Sequence, residues 1–267
     1  MNSGQPLKGV RILNSRAVHQ ASEFSKYIHK HGGISIEIPL IDIKRSQLLL
    51  NVKELFQQLS NEDWLVFTSK NGVEFFREHM KTVGLDITAL SAYRIAVVGE
   101  KTKQLLSEYH IGIDIMPTSF TAEALVKEML QSVPASSKIV VVRGNLARPL
   151  LRNTLVEHHY QVIDFVAYET THIVSNEEKL VQSLKQHSLD YLTFTSPSTV
   201  HSFMNVMNKH HLKEEWNQLP CVCIGSVTKK AILSHGAKRV LVPSKFTIEN
   251  MIQTIIEDVK HQKEEMR

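Results

Sequence analysis

Trp64-Leu65-Val66-Phe67-Thr68-Ser69 and Tyr191-Leu192-Thr193-Phe194-Thr195-Ser196 are two copies of one pattern, 127 positions apart. Each is a short apolar run ending in Phe-Thr-Ser. Each leads into apolar residues at helical spacing: Val73, Phe76 and Met80 after the first, Val200, Phe203, Met204 and Met207 after the second. Residues three and four apart share one helix face, so both segments read as strand, polar turn and amphipathic helix.

The match extends outward. Ile95-Ala96-Val97-Val98-Gly99 corresponds to Cys221-Val222-Cys223-Ile224-Gly225, now 126 positions on. Pro117-Thr118-Ser119-Phe120-Thr121 corresponds to Pro243-Ser244-Lys245-Phe246-Thr247 at the same offset. Thr121 and Thr247 each precede a helical pattern, and a threonine oxygen can accept an orphan backbone N–H there. Val10-Arg11-Ile12-Leu13 and Lys138-Ile139-Val140-Val141-Val142 open the two halves as strands. Each is followed by a loop with arginine (Arg16, then Arg143-Gly144), a helix, and a second strand near 34–38 and 162–166. Strict alternation of strand and helix predicts an α/β chain of two similar lobes, each a parallel sheet flanked by helices, related by internal duplication. Such sheets bind ligands beyond the C-terminal ends of their strands, where the Thr-Ser and Gly segments fall.

The bulk composition narrows the partners. The 267 residues are 42% hydrophobic and 22% charged, an ordinary globular balance. The net charge is +4, but lysine and arginine are scattered. A nucleic-acid binder concentrates them in a stripe with exposed aromatics, so none is expected as a partner. The excess favours a small polyanion. The two cysteines, Cys221 and Cys223, alternate along an apolar strand. They read as buried neighbouring thiols in a reducing compartment, too few to make a metal site. The opening Met1-Asn2-Ser3-Gly4-Gln5-Pro6-Leu7-Lys8 has no apolar core of a signal peptide. No apolar stretch approaches the roughly 18 residues of a membrane span. A cytoplasmic protein without membrane attachment is expected. The closing stretch from Glu257 to Arg267 reads as a solvated or frayed helix end.

Thr68-Ser69-Lys70-Asn71-Gly72 and Thr195-Ser196-Pro197-Ser198-Thr199 each join a strand end to a helix start. Helix N-termini carry unpaired N–H groups and partial positive charge, and hydroxyls beside them add donors, so such loops hold carboxylates or phosphates. Plain capping explains either loop alone; two equivalent loops favour a shared ligand. Gly99 with Thr102, and Gly225 with Thr228, repeat the arrangement, and there an ordinary strand-to-helix turn competes. Tyr168 stands where the second strand of its half ends. Its phenol stays protonated at neutral pH and could donate to a leaving oxygen; a half-buried structural tyrosine is the competing reading. No nucleotide-binding glycine pattern, Gly-x-Ser-x-Gly elbow or His-Glu-x-x-His is present. The adjacent pairs His158-His159 and His210-His211 are poorly placed for one metal, and most of the 14 histidines read as surface residues.

These segments resemble uroporphyrinogen-III synthases: Phe67-Thr68-Ser69-Lys70-Asn71-Gly72-Val73, Val98-Gly99 with Thr102, Val142-Arg143-Gly144, Tyr168-Glu169-Thr170, Phe194-Thr195-Ser196-Pro197-Ser198, and Ile224-Gly225 with Thr228. The likeness spans nearly the whole chain. It implies a discontinuous lobe of 1–38 plus 170–267, a second lobe of 41–167, and linkers near 39–40 and 168–169. It also implies a reaction: hydroxymethylbilane loses water, ring D is inverted through a spiro intermediate, and the macrocycle closes, as a step of heme biosynthesis. No cofactor and no metal are implied, and the protein is expected as a monomer. Tyr168 then sits at the hinge, facing the cleft between lobes, and helps the hydroxyl leave. The four loops hold the substrate's carboxylates, with Arg16, Arg143, Gly144 and Lys70 beside them. The competing reading is a non-catalytic two-lobed protein that binds a tetrapyrrole or another anion.

Overall fold

The computed structural model describes residues 4–47 and 52–265. Residues 1–3 of the opening stretch and 266–267 of the closing one lie outside the described residues. The chain forms β1 (Arg11–Asn14), α1 (Val18–Lys30), β2 (Ile34–Glu37), β3 (Ile41–Arg45), α2 (Val52–Gln57), β4 (Trp64–Phe67), α3 (Lys70–Thr82), β5 (Arg94–Val97), α4 (Glu100–Glu108) and α5 (Ala122–Ser132). It continues with β6 (Lys138–Gly144), α6 (Leu150–Glu157), β7 (Gln161–His172), α7 (Glu177–Lys185), β8 (Tyr191–Phe194), α8 (Pro197–Lys209), α9 (Lys213–Asn217), β9 (Cys221–Cys223), α10 (Ser226–Ser234), β10 (Val240–Leu241) and α11 (Ile248–Glu265).

Two compact units result: Met1–Asp42 with Thr171–Arg267, and Ile43–Thr170. The first carries a sheet of order β10-β9-β8-β1-β2, and every pairing in it is parallel. The second sheet has the order β3-β7-β6-β4-β5. The sequence repeat pairs β8 with β4, β9 with β5, β1 with β6 and β2 with β7, so four strands lie in the same order in both sheets. Even the fifth has a trace: Val222 pairs with Leu241 in one unit, and Ala96 with Ile115 in the other as an isolated bridge.

The second sheet departs from the expected all-parallel arrangement at its edge. Ile173 N donates to Leu40 O and Ser46 N to Ala167 O, so numbers rise along β3 as they fall along β7. That makes β3 antiparallel. The parallel rule comes from helical crossovers between strands. Here β3 and the end of β7 are the two segments where the chain passes from one unit to the other, and no crossover helix joins them.

The central strands β4 and β8 are buried along their whole length because helices cover both sheet faces. Alternate residues then enter different cores. Leu65 and Phe67 of β4 pack with Val73, Phe76 and Met80, whereas Trp64 and Val66 pack with Leu125 and Met129 on the other side. In the first unit Leu192, Phe194, Cys221 and Cys223 share one core, and Tyr191 and Val222 the other. Both thiols are free and buried, and burial pushes them up to about 12 and about 11. They remain protonated and act as small apolar groups.

Helix ends explain several histidines. His110, His159, His187 and His211 are the non-glycine residues with positive φ among those described. His211 follows α8 as Gly84 follows α3, and His159 follows α6 as Gly32 follows α1. Leu212 N reaches back to Met207 O as Leu85 N reaches Met80 O, the bond that closes a helix through a left-handed residue. The paired histidines are therefore helix stops.

Glu177, at the start of α7, is buried and accepts from Lys209 Nζ at 2.6 Å and His172 Nε2 at 2.9 Å. His172 Nδ1 lies 3.1 Å from Leu40 O, in the segment that leads into β3. The hydrogen bonds from Lys209 and His172 lower the carboxyl from 4.5 to about 2 against the opposing effect of burial. A depressed carboxyl contributes stability that is fully present above its unfolded value of about 4.5 and is lost as pH falls toward 2. Glu177→Gln should cost about 1–3 kcal/mol at pH 7. Urea unfolding of the variant should also show a shallower fall in stability between pH 5 and 2; an unchanged slope would assign the acid response elsewhere.

Candidate functional site

In the unit of residues 43–170, β4 ends in Phe67 and Thr68 follows, its Oγ1 3.3 Å from Val142 O. Ser69 adopts an extended backbone and caps α3, accepting from Gly72 N at 3.1 Å. The capping hydroxyl also lies 3.3 Å from Tyr168 Oη. A helix start, a serine and a phenol therefore converge. Lys70 ion-pairs with Glu74 at 3.3 Å, and Asn71 also has a partner.

Tyr168 is positioned by an irregularity in the sheet. The register of β6 and β7 slips between Arg143↔Val166 and Gly144↔Tyr168, leaving Ala167 as a bulge. A bulge re-aims the side chain that follows it. Three groups fix this one: Ala167 O accepts from Ser46 N and lies 2.8 Å from His79 Nε2, and Tyr168 O accepts from Asn145 N at 3.1 Å. Burial lowers the pKa of His79, so it stays neutral with its Nε2 proton on that carbonyl. The Tyr168 ring stacks on Phe75, centroids 5.3 Å apart. Burial raises the phenol pKa, and the Ser69 hydroxyl opposes this only in part. The group remains a proton donor throughout the neutral range.

Arg143 and Gly144 serve this arrangement directly. Arg143 forms a two-pronged pair with Asp164, Nε–Oδ1 2.6 Å and Nη2–Oδ2 2.7 Å. Its Nη1 donates to Gly144 O at 3.0 Å. The guanidinium is thus committed within the unit. At Gly144 a Cβ would stand 2.5 Å from Cε2 and Cζ of Tyr168, so only glycine leaves room for the ring.

The other unit repeats the helix starts without the phenol. Ser196 caps α8 through Thr199 N at 3.3 Å, and its Oγ lies 2.9 Å from both Ser198 Oγ and Thr199 Oγ1. Thr195 is half-buried beside it. Gly225 starts α10 as Gly99 starts α4, both with extended backbones and no side-chain cap. Thr102 and Thr228 follow in the first turns, only 4% and 3% exposed. Neither hydroxyl has a hydrogen-bond partner among the described residues. Arg16, after β1, keeps Nε and Nη1 buried and unpaired among the described residues, and its Nη2 is 3.4 Å from Gln20 Oε1. Burial lowers its pKa, but a guanidinium retains its charge. Two N–H-bearing nitrogens of Arg16 are thus left without a partner among the described residues, whereas Arg143 is ion-paired with Asp164.

Sequence reasoning did not find Phe75, His79 or Asn145. His79 had a signal: it stands three residues after Phe76 and beside Met80 on the apolar stripe of α3, where an exposed histidine does not belong.

Two α/β units with hydroxyl-rich helix starts, one of them beside a half-buried phenol, place anion-binding N–H groups and a protonated hydroxyl close together. The relatives carry the assignment further. A family model for uroporphyrinogen-III synthase HemD matches residues 22–253, and the chain belongs to that family, the cyclising lyases of tetrapyrrole biosynthesis. A uroporphyrinogen-III synthase of Synechococcus elongatus is 29% identical over 225 residues, 84% of each chain. The porphyrin biosynthesis protein HemD of Ruminiclostridium josui is 27% identical over 253 residues; the match covers 95% of this chain and 49% of that longer protein, so the chain spans about half its length. The solved uroporphyrinogen III synthase of Thermus thermophilus, a triple variant, superposes with a TM-score of 0.72 at 20% identity, covering 95% of this chain and 100% of that one. At that identity the likeness establishes the fold.

Proposed function

We propose that this chain converts hydroxymethylbilane to uroporphyrinogen III, with loss of water and inversion of ring D, as a cytoplasmic monomer without cofactor or metal. The observation that carries the reading is the Tyr168 phenol, kept protonated by burial and held against Ser69 at a helix start, in a chain of the synthase family. Tyr168 gives its proton to the departing hydroxyl. The substrate bears eight carboxylates, and its uncatalysed closure proceeds without inversion. Positioning is therefore worth more here than strong acid–base groups. Thr68, Ser69, Lys70 and Asn71 serve one carboxylate region, and Gly99 with Thr102 another. Thr195, Ser196 and Ser198, and Gly225 with Thr228, serve two more, and Arg16 supplies a cation. Arg143 and Gly144 act by holding the end of β6 and leaving room for Tyr168. The segments near 39–40 and 168–169 act as linkers. Among the described residues no helix is long and apolar enough to cross a membrane.

The test is a coupled assay: hydroxymethylbilane is generated in situ, the products are oxidised, and isomers I and III are separated. Mostly isomer III is expected. Isomer I alone, at the spontaneous rate and with folded protein, would leave a binding protein. Thr228→Ala removes a hydroxyl with no internal partner among the described residues, so folding should be unaffected. Losing one hydrogen bond to a charged group should raise KM about 10-fold; unchanged KM and kcat would remove Thr228 from the site.

A further inference from the structure

Two phenylalanines are spent on solvent at matching places. Phe120 is 53% exposed and Phe246 50%, and no other aromatic residue is among the exposed large hydrophobics described. They stand 126 positions apart, each one residue before the threonine that caps the next helix: Thr121 for α5 and Thr247 for α11. Each also lies over the glycine that starts another helix of its own unit. A Cβ on Gly225 would meet Phe246 Cγ at 3.3 Å and both Cδ atoms at 3.4 Å, and one on Gly99 would meet Phe120 Cβ at 3.7 Å. At Gly225 the missing Cβ lets Phe246 settle against the backbone, whereas Phe120 lies at ordinary contact distance from Gly99; both rings stay largely uncovered. A single exposed aromatic needs no explanation. The same one in both units, at strand ends flanked by two helix N-termini, does.

We propose that Phe120 and Phe246 are stacking platforms for pyrrole rings of the substrate, each with anion-binding helix starts beside it. The inference rests on the synthase reading and extends it: recognition reaches the rings as well as the carboxylates. A linear tetrapyrrole offers flat π faces with carboxylate arms around them. A phenyl ring bordered by backbone N–H groups matches that alternation, since the ring takes the flat face and the helix starts take the arms. Polar loops alone would hold any polycarboxylate of suitable reach. An aromatic platform in each unit selects one built on flat rings.

The experiment measures KM, kcat and thermal midpoint for Phe120→Ala, Phe246→Ala, Phe246→Leu and Phe246→Trp, with isomer III formation as the readout. Removing one stacked side chain weakens binding of a flat ring by about 5- to 150-fold, and the alanine variants should show a rise in KM within that range with an unchanged midpoint. Tryptophan should restore KM to within about twofold, and leucine should not. A KM for Phe246→Ala within twofold of wild type, or full rescue by leucine, would overturn the proposal. Wild-type protein that forms no isomer III would instead defeat the synthase reading, so the two failures are distinct.

Discussion

Gly144→Ala should remove nearly all turnover, although it adds a single methyl group. The new Cβ would lie 2.5 Å from two ring carbons of Tyr168 and 2.9 Å from its hydroxyl oxygen. Non-bonded carbons approach to about 3.5–4.0 Å, so the ring must move by an ångström or more. It has little freedom to do so. Phe75 stacks on the ring, Asn145 N holds its carbonyl, and the bulge at Ala167 is fixed by His79 and Ser46. Overpacking a site of this kind costs about 1–3 kcal/mol. An ångström of misplacement at a reacting group costs about 100-fold in rate. Urea unfolding and the isomer assay should therefore show both losses. A double-mutant cycle identifies the cause: in a Tyr168→Ala background, Gly144→Ala should cost less than about 1 kcal/mol, because the clash is gone. An equal cost in both backgrounds would mean that the ring is not what excludes the methyl.

How much of this was legible in the sequence follows from the range of each interaction. The buried strands announce themselves because a strand covered on both faces must be almost wholly apolar, as 64–67 and 191–194 are, the one polar side chain, Thr193, donating to Leu13 O. Their ends are legible because the chain turns there into capped helices, which needs Ser69, Ser196, Thr121 and Thr247 in the caps. All of that is local. Gly144 is different. Its glycine looks like one more flexible turn residue, and the reason for it is a ring 24 positions away, brought over it by a register slip between β6 and β7. Arg143 likewise reads as a free cation until Asp164 is placed beside it. Antiparallel β3 was hidden because its partner is the far end of β7, more than 120 residues on. The sequence displays Phe120 and Phe246 as a repeat, but exposure is a property of the packed unit.

Tyr168→Phe should lower kcat by about 100-fold, within the range of a lost general acid, while leaving the unit intact. The phenyl ring keeps its stack on Phe75, and the backbone keeps its bond from Asn145 N. Among the described residues the hydroxyl has one partner, Ser69 Oγ at 3.3 Å, and Ser69 retains its capping bond to Gly72 N without it. Stability should change by less than about 1 kcal/mol. KM should stay within about threefold if the phenol acts on the departing oxygen, because that interaction strengthens only as the C–O bond breaks. The pH dependence supplies a second readout. Burial raises the phenol pKa above its ordinary value of 10, so the protonated donor persists to higher pH than a free tyrosine would allow. The wild-type kcat should therefore show no basic limb assignable to this group below pH 10. A small fall in kcat with a large rise in KM would recast Tyr168 as a contact for the bound substrate. Unchanged kinetics would move the proton donation away from Tyr168, and Ser69 at the start of α3 would be the next residue to replace.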